Sequence, residues 1–150
     1  MTGFPFANFY DMASQKELDL NYIKIAKIRS ELSKARRLQV GAILVKGDFI
    51  ISDGFNGTAK GRDNNCETEQ DGKLVTKKEV LHAETNCISK IAKSTMSSDG
   101  ATLYCTHSCC MDCAKLIVQS GIVRFVYSEE YRSREGLEFL EECGVEVERI

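Results

Sequence analysis

The residues best able to do chemistry stand close together in "LYCTHSCCMDCAKLIVQSG" (103–121), where Cys105, Cys109, Cys110 and Cys113 fall within nine positions. Cys110 and Cys113 form a C-x-x-C pair. Two thiolates at this spacing can grip one metal ion, and zinc is the default choice. A redox dithiol is the rival use of the same spacing, although the thioredoxin motif comes early in its domain and this pair sits late. Seven cysteines, an odd number, argue against a closed disulfide framework. Further ligands must come from elsewhere, and the chain has two histidines, His82 and His107. His82 lies in "VLHAETNCI", at the start of an expected helix, and Cys110 and Cys113 open another. Two helix N-termini converging on one ion would supply one nitrogen and two sulfurs. Three protein ligands leave a fourth position open, which is the catalytic rather than the structural zinc pattern. A structural site would want a fourth protein ligand, and His107 and Cys109 are the candidates. Glu84, two residues after His82, could take a proton from an activated water and hand it to a leaving group. Alone, it would read only as an acid that complements a helix N-terminus.

These side chains need elements to position them. A chain of 150 residues is long enough for one domain with a core, expected to span 1–150. Leu18, Tyr22, Ile25, Ile28 and Leu32 fall at helical spacing and predict an amphipathic helix over 17–33. "VGAILVK" and "FIISDGF", split by Gly47 and Asp48, predict a hairpin. Residues 56–78 are polar and glycine-bearing and read as one long loop. A helix is expected from about Val80 to Lys93, then a strand at "ATLYCT", a helix over 110–120 ended by Gly121, and a strand at "IVRFVY". A helix over 132–142 closed by Gly144 and a final strand at "VEVERI" complete the chain. This alternation predicts an α/β domain with helices on both faces of a mixed sheet of about five strands.

Composition narrows the partners. The chain is 43% hydrophobic and 28% charged, with a net charge of −2, as in ordinary soluble domains. No basic block announces a nucleic-acid partner, and no apolar run approaches the roughly 20 residues that span a bilayer. The N-terminal "MTGFPFANFYDMASQ" lacks the charged and apolar regions of a secretory signal. The expected compartment is a reducing cytoplasm, where persistent disulfides are rare.

The pairing of "HAE" at 82–84 with "CCMDC" at 109–113 resembles the H-x-E and P-C-x-x-C signature of the zinc-dependent cytidine and deoxycytidylate deaminases. The similarity is strongest to the bacterial and phage deoxycytidylate deaminases. It covers most of the chain: "RLQVGAILV" (37–45), "GFNGTAKG" (54–61), "LHAETNCI" (81–88), "LYCTHSCC" (103–110), "CAKLIVQSGI" (113–122) and "VYSEEY" (126–131), in the family's order. The resemblance implies a three-layer αβα sandwich of cytidine-deaminase type. It implies zinc on His82, Cys110 and Cys113, with Glu84 as proton shuttle. Water would attack C4 of the cytosine of dCMP, and ammonia would leave to give dUMP for thymidylate synthesis. Asn56 resembles the family asparagine that contacts the nucleoside, and the backbone of Ala83 would face the base. Tyr127 and Tyr131 resemble aromatics near the nucleotide, and Arg37 matches an arginine assigned to the phosphate. Residue by residue, there are plainer readings: Asn56 as a turn residue, Tyr127 as a core residue, Arg37 as a solvated charge. One departure stands out, since Cys109 occupies the position where the family keeps proline.

The resemblance also implies allosteric control, with dCTP activating, dTTP inhibiting and a magnesium ion often accompanying the effector, in a homo-oligomer that is commonly a hexamer. Gly57, Lys60, Gly61 and Arg62 in "GTAKGR" fit the effector loop, because glycines let backbone N–H groups approach phosphates. Neither nucleic acid nor membrane is an expected partner, and the host cytoplasm is the expected setting if the source is a phage. The rivals are a zinc deaminase of another substrate (dCTP, or tRNA adenosine, whose polyanionic carrier calls for a basic surface), a non-catalytic zinc-binding module, and a thiol–disulfide protein.

Overall fold

A computed structural model describes residues 13–150; the N-terminal segment, considered above for a secretory signal, lies almost wholly outside the described residues. The first helix, α1 (Gln15–Ser30), starts where a capping box closes it. Ser14 Oγ accepts from the Glu17 N–H at 3.1 Å, and Glu17 Oε2 accepts from the Ser14 N–H at 2.8 Å. Lys27 and Arg29 complement the dipole in the last turn. The helix ends before the expected residue 33, where the chain turns off through Leu32 and Ser33. Its buried stripe is also rotated from expectation. Asp19, Ile23 and Ala26 are buried, whereas Ile28 is 61% exposed.

The central sheet comprises β1 (Gly41–Lys46), β2 (Phe49–Phe55), β5 (Thr102–His107), β6 (Arg124–Glu129) and β7 (Glu146–Arg149), in the order β2-β1-β5-β6-β7. The hairpin partner β2 and the neighbour β5 run antiparallel to β1, while β5, β6 and β7 are mutually parallel, so the sheet is mixed as expected. Alternation along each strand sorts the core into two layers. Ala42, Leu44, Leu103, Cys105, Phe125 and Tyr127 face one side, against Ala83, Cys87, Ala114, Ile117, Leu137 and Leu140. Those six come from α2 (Ala83–Ile91), α3 (Met111–Gln119) and α4 (Glu135–Glu142). Ile43, Val45, Tyr104 and Val126 face the other side, against Ile23 and Ala26 of α1. The result is a three-layer αβα sandwich with four helices among the described residues. On the α1 side, buried Asp19 receives Arg124 at 2.8 and 2.7 Å and the Tyr104 hydroxyl at 2.5 Å.

Two further expectations fail for local reasons. Residues 56–78 are not one loop, since β3 (Glu67–Gln70) and β4 (Lys73–Thr76) form a separate antiparallel hairpin within them. Asp71 and Gly72 turn it, with φ of 52° and 75°. An Asp-Gly pair with positive φ at both residues is a type I′ signal, and it was present in the sequence. The second helix begins at Ala83 rather than Val80, because Leu81 is held extended by a bridge to Gly57, with N–H···O distances of 3.0 and 2.8 Å.

Candidate active site

Two helix starts build the centre. His82 is the N-cap of α2 (φ −75°, ψ 158°) and Cys110 the N-cap of α3 (φ −79°, ψ 171°). An N-cap side chain ordinarily accepts a hydrogen bond from the first turn. Neither His82 nor Cys110 does so, which leaves both side chains available to each other. Close packing brings the starts together. At Gly54 of β2, a Cβ would lie 2.6 Å from Ala83 O and 2.6 Å from Cys87 N, so only glycine lets α2 sit this near the sheet. At Gly136 of α4, a Cβ would lie 2.4 Å from Cys109 O and 2.9 Å from the Cys110 carbonyl carbon, so α4 presses on the backbone that carries Cys110.

In this arrangement His82 Nδ1 lies 3.2 Å from Cys113 Sγ and 3.5 Å from Cys110 Sγ. All three ligand atoms lie within 4.8 Å of one another. Zinc bonds of about 2.0–2.1 Å to nitrogen and about 2.3 Å to sulfur would hold tetrahedral N and S donors about 3.5 Å apart. The donor set therefore fits zinc in both chemistry and spacing. The hydrogen bond from Cys113, aided by His82, draws the Cys110 thiol down to about 4. Cys113, which keeps the shared proton, is pushed up by the same bond and by burial. The hydrogen bond to Cys110 raises the His82 imidazole against the burial that lowers it. Cys109, in the position where proline was expected, is buried beside the pair and stands outside the donor triad; burial raises its thiol.

Glu84 occupies the first turn of α2 and is only 4% exposed. Burial pushes its carboxyl above the ordinary carboxylate value. It lines a cavity of about 560 Å³ together with His82, Ala83 and Cys110, a size suited to a small molecule. Asn56 and Arg37 line the same cavity, as does Tyr131. The Asn56 side chain is partly engaged, with Oδ1 accepting from the Val40 N–H at 2.9 Å and Nδ2 donating to Leu38 O at 2.8 Å. His107 also lines the cavity, with Nδ1 2.8 Å from Thr106 Oγ1, and stands outside the metal-donor triad.

Other candidates named by the sequence lie elsewhere. Tyr127, read as a nucleotide-contacting aromatic, is 3% exposed in the core, stacks on Phe125 at 6.0 Å and is not among the cavity-lining residues. It sits at a core-facing register position of β6, and the side of a strand that faces ligand is decided by the sheet's packing. Gly57 is fixed by its bridge to Leu81, while Lys60, Gly61 and Arg62 are exposed and likewise apart from the cavity. Sequence reasoning missed Arg132, Glu67 and Thr76, all of which line the cavity. Arg132 lies beside Tyr131, its guanidinium 5.3 Å from the ring centroid. Glu67 and Thr76 come from the unforeseen hairpin. Only the Asp71–Gly72 turn signal could have raised them from a run that read as loop. Taken together, a soft three-donor metal set that reaches the cavity through His82 and Cys110, a buried acid and two arginines meet at one pocket. That combination suits hydrolytic chemistry on a small anionic molecule.

Known proteins resemble the chain over most of its length. Residues 16–129 match the family model described as the cytidine and deoxycytidylate deaminase zinc-binding region. The chain is 33% identical to the deoxycytidylate deaminase of Enterobacteria phage T4, over 83% of this chain and 86% of that protein. It is 36% identical to ComE operon protein 2 of Bacillus subtilis, over 79% of this chain but only 63% of that longer protein. Among solved structures, the dCMP deaminase of the cyanophage S-TIM5, in complex with dCMP and dUMP, superposes with a TM-score of 0.86 at 45% identity, covering 92% of this chain and all of that one.

Proposed function

Since the chain belongs to the zinc-binding cytidine and deoxycytidylate deaminase family, we propose that it hydrolyses dCMP to dUMP and ammonia. The observation that carries this reading is the single cavity lined by Glu84, Arg37, Arg132 and two members of the donor triad, His82 and Cys110, with Cys113 behind them. Zinc held by those three residues would supply Lewis-acid activation of water near neutral pH. Glu84 would do the proton work. It takes a proton from the attacking water as the C4–O bond forms and passes it to ring N3; it then takes the proton of the new C4 hydroxyl and delivers it to the exocyclic nitrogen as the C4–N bond breaks and ammonia leaves. Burial raises the proton affinity of this carboxyl, which favours its taking a proton from water. The Ala83 backbone faces the base, and the unused N–H and lone pair of the Asn56 amide serve the sugar. Arg37 and Arg132 take the phosphate, with Arg132 backed by Tyr131. Tyr127 supports β6 from the core and takes no part in contact.

A mononucleotide is favoured over a tRNA, because the pocket is small and the net charge is −2. The proposal extends to regulation by dCTP and dTTP with magnesium at Gly57, Lys60, Gly61 and Arg62, in a homo-oligomer, commonly a hexamer, working in the cytoplasm to feed thymidylate synthesis. No described helix is long and apolar enough to cross a membrane. The test measures ammonia released by zinc-loaded protein from dCMP, dCTP, deoxycytidine and tRNA, each with and without dCTP or dTTP and magnesium. Turnover of dCMP ahead of the others is expected. Turnover confined to tRNA, or zinc-bound protein inert toward every substrate, overturns the reading.

A further inference from the structure

We propose that Glu67 is the positioning residue for Arg37, and that the β3–β4 hairpin exists to aim that arginine at the substrate phosphate. The inference rests on the functional reading above and adds a residue to it. Glu67 is 1% exposed, yet its carboxylate serves few of the usual purposes of a buried charge. One oxygen, Oε2, accepts from two successive backbone N–H groups, those of Arg36 at 2.8 Å and Arg37 at 3.1 Å. The other, Oε1, accepts no hydrogen bond among the described residues and lies 3.5 Å from Arg36 Nε. Burying a carboxylate whose second oxygen has no hydrogen bond, only the exposed Arg36 guanidinium 3.5 Å away, costs free energy that a neutral turn-stitching residue would avoid.

The geometry explains what that charge does. Glu67 holds Arg37 by its main chain and leaves the guanidinium to other partners. Directly across the hairpin, its register partner Thr76 accepts a hydrogen bond from Arg37 Nη1 at 2.9 Å. Two paired residues thus fix one arginine at both ends, backbone and tip. Both line the cavity with Arg37. The hairpin is itself anchored. Cys66, Ala35 and Val80 form a small buried cluster between it and the 33–38 segment, and the Lys77 N–H bonds Cys66 O at 2.8 Å. An arginine so held meets a phosphate without first surrendering the rotamer freedom of a long side chain.

The test compares dCMP with deoxycytidine, which lacks the phosphate, as substrates of the zinc-loaded enzyme and of its Glu67→Ala, Glu67→Gln and Thr76→Val variants. Glu67→Ala is expected to lower the ratio of kcat/KM for dCMP to that for deoxycytidine about tenfold, through KM rather than kcat. Glu67→Gln retains one acceptor oxygen and should fall between. Thr76→Val should lower the same ratio several-fold. A merely structural role would depress both substrates together and leave the ratio where it was. That result, or an unmoved KM for dCMP in Glu67→Gln and Thr76→Val, overturns the proposal even if Glu67→Ala fails to fold. Wild-type protein inactive on dCMP would instead sink the functional reading. In that case the binding ratio of dCMP to deoxycytidine across the same variants still decides the role of Glu67.

Discussion

Replacing Gly136 with alanine should weaken zinc binding although Gly136 is no ligand. The added Cβ would stand 2.4 Å from Cys109 O, and 2.9 Å from both the carbonyl carbon and the oxygen of Cys110. A carbon and a carbonyl oxygen in ordinary contact are more than 3 Å apart, so roughly 1 Å of movement is required, and both partners are backbone. One route is for the ligand segment to shift. Metal–ligand distances tolerate about 0.2 Å, so a shift of that size takes Cys110 out of register with His82 and Cys113. Disturbing a supporting contact of this kind costs about 10–100-fold in metal affinity or activity. The other route is for α4 to back away. That strains Leu137 and Leu140, both fully buried, and costs about 1–3 kcal/mol of stability. Zinc affinity, read by competition with a chromophoric chelator, and the thermal midpoint of the zinc-loaded protein separate the two routes. A tenfold or greater loss of zinc affinity is expected. A lowered Tm with zinc affinity and deamination within twofold of wild type would refute the reasoning, because it would mean that α4 yields and the ligand segment is held by something else.

Glu84→Gln should retain stoichiometric zinc and lose about 10²–10⁴-fold in dCMP deamination; a zinc-replete variant with normal turnover would remove Glu84 from the proton pathway. Tyr127→Phe should leave KM for dCMP within about twofold, since its ring is core and its hydroxyl donates a long bond to Glu130 at 3.4 Å; a large rise in KM would restore it to the substrate site. Burial raises the Asp19 carboxyl, but hydrogen bonds from Arg124, Tyr104 and Gln15 outweigh it and hold the group below its ordinary 3.8. A carboxyl depressed on folding contributes stability above its unfolded pKa, and that contribution is lost as pH falls through the lower folded value. Asp19→Asn should therefore lower Tm near pH 7, by an amount equivalent to about 3–5 kcal/mol for a broken buried pair, and the gap to wild type should narrow below about pH 4. A gap constant from pH 6 to pH 3 would count against that account.

What the residues declared on their own is what depends on near neighbours along the chain. The helical spacing of Leu18, Tyr22 and Ile25, the apolar runs of β1, β5 and β6, and the C-x-x-C and H-x-E spacings are local patterns, and the elements and the metal donors follow from them. Local signals also erred locally. The 56–78 run read as loop because its polar composition hid a four-residue strand pair turned by Asp71 and Gly72. Tertiary structure alone decided the rest. Tyr127 and Tyr131 share a motif, but one faces the core of a central strand and the other follows the strand into the cavity wall. The convergence of His82 with Cys110 and Cys113 rests on Gly54 and Gly136, which admit α2 and α4 at distances no side chain would allow. Glu67 meets Arg37 across 30 residues of chain because a hairpin folds back over the 33–38 turn. Spacing names the groups that can react; which of them share a cavity is set by how closely the layers pack and which face each strand turns inward.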